Sequence, residues 1–146
     1  MELIMALLCE EARTNPDGKL DIHGVFNDLF APGFPAQQPR MVLVLGIEWD
    51  REDDGRYKFL IDLEDPAGRP VLTLDGHTDV DRRSPERPPA RTRLIMPLEQ
   101  VVFPQPGAYR CVLRLNNTRI QGPALHVMLT EARSSEELPT ESGGET

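Results

Sequence analysis

Side-chain character alternates with a period of two along most of this chain, and no stretch sustains the longer period of an amphipathic helix. Successive side chains of a β-strand point to opposite faces, so a strand with one face on a core and one in water must alternate in this way. In "RYKFLIDLED", Tyr57, Phe59, Ile61 and Leu63 fall on one side and Arg56, Lys58 and Asp62 on the other. "AYRCVLRLNN" sets Tyr109, Cys111, Leu113 and Leu115 against Arg110 and Arg114, and "ALHVMLTEA" sets Leu125, Val127 and Leu129 against His126, Met128 and Thr130. Two further runs, "LIMALLC" (3–9) and "MVLVLGI" (41–47), are apolar on both sides, which suits central strands covered on both faces.

Turn signals separate these runs: "NPDG" at 15–18, "DREDDG" at 50–55, "EDPAG" at 64–68, "PQPG" at 104–107 and "NN" at 116–117. The pattern predicts eight strands, near 2–13, 19–29, 41–49, 56–63, 70–80, 91–96, 109–115 and 124–131. Short strands joined by Gly/Pro turns, without a helix, predict an all-β fold: a two-layer antiparallel β-sandwich, immunoglobulin-like or C2-like in architecture. One sandwich domain is expected over 1–132, followed by an acidic, disordered tail at 133–146. If each strand crosses the sandwich once, loops 14–18, 50–55, 81–90 and 116–118 gather at one end. Loops 30–40, 64–69 and 97–108 then gather at the other.

The run Leu7-Leu8-Cys9-Glu10, Gly18-Lys19-Leu20, Ile22-His23-Gly24-Val25 and Phe34-Pro35 resembles a family of small bacterial proteins known as a domain of unknown function. Asp65-Pro66-Ala67-Gly68 and Phe103-Pro104-Gln105-Pro106-Gly107-Ala108-Tyr109 are also similar, though such turns recur in many sandwiches. The resemblance covers residues 1 to about 130, implies a β-sandwich and carries over no catalytic residue. Cys9, Trp49 and Tyr109-x-Cys111 follow the order of antibody domains, but a whole strand (19–29) intervenes before Trp49, against a true immunoglobulin domain. Tyr109, just inside its strand after Pro-Gly, is placed for a corner-type hydrogen bond.

Several function classes are disfavoured. No apolar run approaches a membrane span, and the N-terminal run lacks the basic flank and small-residue cleavage site of a signal peptide, so a cytoplasmic location is expected. A net charge of −8 without a basic stripe argues against nucleic acid or an anionic membrane as partner. Cys9 and Cys111, inside apolar stretches, are expected to be reduced and buried. G-x-S-x-G, P-loop and CxxC motifs are absent, and His23 and His126 have no nucleophile at motif spacing. The thiolate of Cys9 is disfavoured by Glu10 and Glu11. No catalytic or cofactor-binding residue is assigned, and the chain is read as a non-enzyme.

Two binding constellations remain. Asp75, His77 and Asp79 alternate along one strand face, and the acidic loop with Asp50, Asp53 and Asp54 is expected at the same end. Hard cations such as Ca²⁺ need several oxygen ligands from neighbouring loops, so these six residues form the candidate metal set. Arg51, Arg82, Arg83 and Arg87 are interleaved with them and favour plain surface ion pairs instead. The second constellation is "LFAPGFPAQQP" (29–39). Phe30 and Phe34 in this proline-braced loop are candidate partner-binding anchors, because rigid aromatics lose little entropy on binding. The stronger reading has both rings fold under the sandwich as a plug. "DRRSPERPPARTR" (81–93) reads as an extended, solvated connection.

Together these features point to a protein–protein interaction module that contacts a protein partner through a strand edge or a loop-rich end. A cation- or small-ligand-binding sandwich is the alternative. Unpaired strand edges also leave a homodimer open.

Overall fold

The computed structural model describes residues 1–130 and contains nine strands and no helix. They are β1 (Glu2–Thr14), β2 (Leu20–Phe26), β3 (Asp28–Ala31), β4 (Ala36–Glu48), β5 (Gly55–Glu64), β6 (Pro70–Val80), β7 (Arg91–Phe103), β8 (Gly107–Leu115) and β9 (Thr118–Leu129). Two sheets pack face to face, in the orders β2-β1-β4-β7 and β3-β9-β8-β5-β6. The β-sandwich expected from the alternation is therefore present, and the acidic tail at 133–146 lies outside the described residues.

The core between the sheets is built from the residues that alternation placed together. Phe59, Ile61 and Leu63 of β5 meet Tyr109, Cys111, Leu113 and Leu115 of β8, Leu125 and Val127 of β9, and Met41, Leu43, Leu45 and Ile47 of β4. Both cysteines are free and buried. Tyr109 makes the corner bond: its hydroxyl donates to the Gln105 carbonyl at 2.6 Å and accepts from the Gln105 N–H at 3.2 Å. Its ring meets Phe103 edge-on at 4.9 Å.

Three expectations are corrected. The strand foreseen at 19–29 is split: β2 stops at Phe26, opposite Leu8, and after Asn27 the chain enters the other sheet as β3. There β3 runs parallel to β9, so the sandwich is not wholly antiparallel. The segment 97–103, read as loop, continues β7, which pairs with β4 as far as Ala36↔Phe103. This edge strand accommodates Pro97 and carries Gln100 at φ 56°.

The third correction concerns the turn at 15–18, which does not join the loop cluster at the end. β1 pairs with β4 only as far as Cys9↔Val42, whereas β1 and β2 remain paired out to Thr14↔Leu20. The outer part of this hairpin folds over the solvent side of its own sheet. Ala12, Leu20 and Ile22 pack onto Cys9, Val42, Val44 and Ile95, and the Arg93 guanidinium donates to the Gly18 carbonyl at 3.4 Å. The bend lies where Gly24 faces Glu10. Gly24 has φ 69°, and a Cβ there would sit 2.6 Å from the Glu10 carboxylate. The folded hairpin explains why β4 is apolar on both sides. The remaining loops divide between the ends as foreseen, although 36–40 and 118–123, expected outside strands, belong to β4 and β9: 49–54, 81–90 and 116–117 share one end, and 32–35, 65–69 and 104–106 the other.

Candidate functional site

The acidic end is built mainly of carboxylates that serve the protein's own groups. Asp53 accepts from the Asp50 N–H at 2.9 Å, and Asp54 accepts from the Arg82 N–H at 3.3 Å. The chain's amino terminus sits 3.2 Å from Asp50. The connection 81–90 is held against this loop by Arg83 N–H to the Arg51 carbonyl and by the Arg51 guanidinium to the Arg87 carbonyl, at 2.8 and 2.9 Å. Asp75, His77 and Asp79 do share the exposed face of β6, but the row climbs the strand away from the loop, opposite Leu60, Lys58 and Arg56. Asp79 is paired with Arg56 at 3.0 Å, and that guanidinium holds its carboxyl below the usual range. Asp50, Asp53, Asp54, Asp75, His77 and Asp79 are thus not brought together. Among the described residues no three His, Cys, Asp or Glu side chains gather as a cation would require.

The Phe-Pro loop forms a site at the opposite end. Residues 32–35 cross from β3 in one sheet to β4 in the other, with a cis Phe34–Pro35 bond. Because β1 leaves β4 at Cys9, β4 residues 36–41 pair, among the described residues, with β7 alone. Beneath the crossing lies a groove of about 280 Å³, lined by Leu29, Ala31, Pro32, Pro35, Phe103 and Val127 among others, and none of the described residues that line it is charged. Gln37 on its wall donates to the Gln100 side chain at 2.6 Å.

The two aromatics of the loop divide the roles that sequence reasoning had weighed for both. Phe34 packs against the core between the sheets. Phe30 lies on the groove wall with 44% of its surface exposed, and its register partner Met128 and neighbouring Leu129 are exposed too. Phe34 therefore serves as the plug, against its expectation as a partner-binding anchor, whereas Phe30 is not folded under the sandwich and stays partly exposed.

Both thiols are buried and are held in the protonated form. Burial raises both, Cys111 to about 11, and for Cys9 the nearby Glu11 and Glu10 push in the same direction while a bond to the Glu11 carbonyl opposes them.

One cluster escaped the sequence reading altogether. Asp62 and Glu64 point to the outer face of their sheet yet are only 4% and 8% exposed. Arg114 bridges both carboxylates, lying 3.5 Å from Glu64. Arg119 reaches Glu64 at 3.3 Å, and the Thr73 hydroxyl donates to Asp62 at 2.6 Å. Every member is engaged within the cluster, which is the arrangement a buried ion pair needs in order to be tolerated. The available signal was acids at alternate positions of β5 and Arg114 on the outward side of β8, but only the registers Leu60↔Arg114 and Arg114↔Arg119 bring the β8 and β9 arginines beside those acids.

A family model described as a family of unknown function (DUF6941) matches residues 4–128. No curated protein matches the chain. No helix among the described residues is long and apolar enough to cross a membrane.

Proposed function

We propose, for a chain that belongs to this family of unknown function, a non-enzymatic role as a cytoplasmic protein–protein interaction module that engages its partner at the Phe-Pro end. One observation carries the reading: a groove of about 280 Å³, uncharged among the described residues, with the exposed ring of Phe30 on its wall. Apolar concavities beside exposed aromatics are where interface energy concentrates, because a docked side chain is desolvated on all sides. Pro32 and Pro35 brace the loop, so little conformational freedom is lost when a partner closes over it.

The test is capture from lysate of the source organism with tagged full-length chain, in parallel with Phe30→Ser and Val25→Ser. Val25 is more exposed than Phe30 but lies on β2, in the other sheet. A single near-stoichiometric partner is expected, lost with Phe30→Ser and kept with Val25→Ser. A partner that survives Phe30→Ser, or none after mild crosslinking, would overturn the proposal.

A further inference from the structure

Among the described residues four strands leave an edge free: β2 and β7 in one sheet, β3 and β6 in the other. Free edges invite foreign strands, and natural sheets blunt them with brevity, bends, bulges, proline or charged side chains, lysine above all. Three of the four are blunted. β3 has four residues, β2 is bent at Gly24, and β7 contains Pro97 and the left-handed Gln100.

β6 is not. It is eleven residues long, has its one proline at the first position, carries no Lys or Arg, and pairs with β5 in unbroken register from Leu72 to Val80. Its far end approaches β7, where the Thr78 and Thr92 hydroxyls are 3.5 Å apart, so residues 71–77 form the open edge. On the core side Leu72 and Leu74 are only half-buried, as are Leu94 and Met96 of the facing edge strand β7. On the outer side Thr73 is bonded to Asp62 and Asp79 to Arg56, whereas Asp75 has no ion pair among the described residues. Lys58 and Arg114 share a shallow hollow with Asp75, and both belong to strands on the inner side of β6.

We infer that β6 accepts an extended strand from a basic protein partner, with Lys or Arg opposite Asp75 and apolar residues opposite Leu72 and Leu74. Opposite charges facing one another across a strand pair stabilise it and like charges oppose it. A second copy of this chain fits less well. Each copy carries a net charge of −8. Antiparallel self-pairing centred on Leu74 would set the two Asp75 carboxylates diagonally with no cation between them. Centring on Gly76 would require Thr78 and Val80, which lie at the end approaching β7. The inference concerns a surface separate from the Phe-Pro groove.

The experiment appends a strand to the full-length chain through a Gly/Ser linker, which keeps its effective concentration near millimolar. One version reads Thr-Val-Lys-Val-Thr-Val and the other has Glu in place of Lys. Amide exchange by mass spectrometry over 71–77 is the readout, with melting temperature as the second. The lysine strand is expected to slow exchange there more than tenfold and to raise the melting temperature. The glutamate strand should do neither, and Asp75→Lys should reverse the preference. Phe30→Ser should leave the protection unchanged, which separates this surface from the groove. Equal protection by both strands, or by neither, would overturn the inference. So would protection of 71–77 in the unmodified chain that grows with protein concentration, because that marks a second copy as the occupant.

Discussion

Replacing Arg114 with Met should destabilise the sandwich far more than removal of a surface arginine ordinarily does. Asp62 has two partners, Thr73 and Arg114, and only Arg114 is a cation; Glu64 would retain Arg119. Arg114→Met therefore strands one nearly buried carboxylate and weakens the hold on a second. Breaking a buried pair from one side costs about 3–5 kcal/mol, and the part-exposure of Arg114 itself argues for the lower figure, about 3 kcal/mol. For a domain of this size that is a fall in melting temperature of roughly 6–12 °C. Arg119→Met should cost about 1 kcal/mol, since Glu64 keeps its bridge to Arg114. The double variant Asp62→Leu/Arg114→Met should recover at least half of the loss, because an apolar pair of similar volume leaves no charge stranded. Urea unfolding followed by circular dichroism gives all three values, provided the slope with denaturant is unchanged. If Arg114→Met costs less than about 1 kcal/mol, or no more than Arg119→Met, the cluster behaves as an exposed, screened pair and the reasoning fails.

Further outcomes can be checked on the same material. Tyr109→Phe removes both hydrogen bonds to Gln105 while keeping the ring against Phe103, and should cost about 1–2 kcal/mol in urea unfolding. Burial holds the Cys111 thiol at about 11 against an ordinary 9.0, so between those values the unfolded chain has released its proton and the folded chain has not. Stability present below pH 9 should therefore fall as pH rises, by about 1.4 kcal/mol at pH 10, and Cys111→Ala should remove that part of the slope. Calcium and chelator should give melting temperatures within about 1 °C of each other, since no ligand set converges at the acidic end. A calcium-dependent rise abolished by Asp53→Asn with Asp79→Asn would restore the cation reading.

Much of the fold was legible because the side-chain period of a strand is a local property. Alternation alone sorted Tyr57 through Leu63 and Tyr109 through Leu115 into core and outer faces, and the two-sided apolar run at 41–47 marked β4 as covered on both sides. It likewise set Asp75, His77 and Asp79 on one face. What covers β4 was not legible. That depends on the β1–β2 hairpin folding back at Gly24, a backbone event that lays residues 12–22 over Val42 and Val44. Nor does alternation show how far two coplanar groups stand apart, so the acidic row of β6 and the loop at 50–54 looked like one site when they diverge. Asp62 read as solvent-facing because its face is set by its own strand, whereas its burial is set by an arginine reaching from β8. The division between Phe30 and Phe34 has the same origin. Sequence placed both in one braced loop, but only the crossing from β3 to β4 turned one ring into the core and left the other exposed on the groove wall. Sequence by itself determined which residues face a core, since that follows from neighbours two positions apart. The tertiary structure decided which faces remain uncovered, since that follows from contacts between segments distant along the chain.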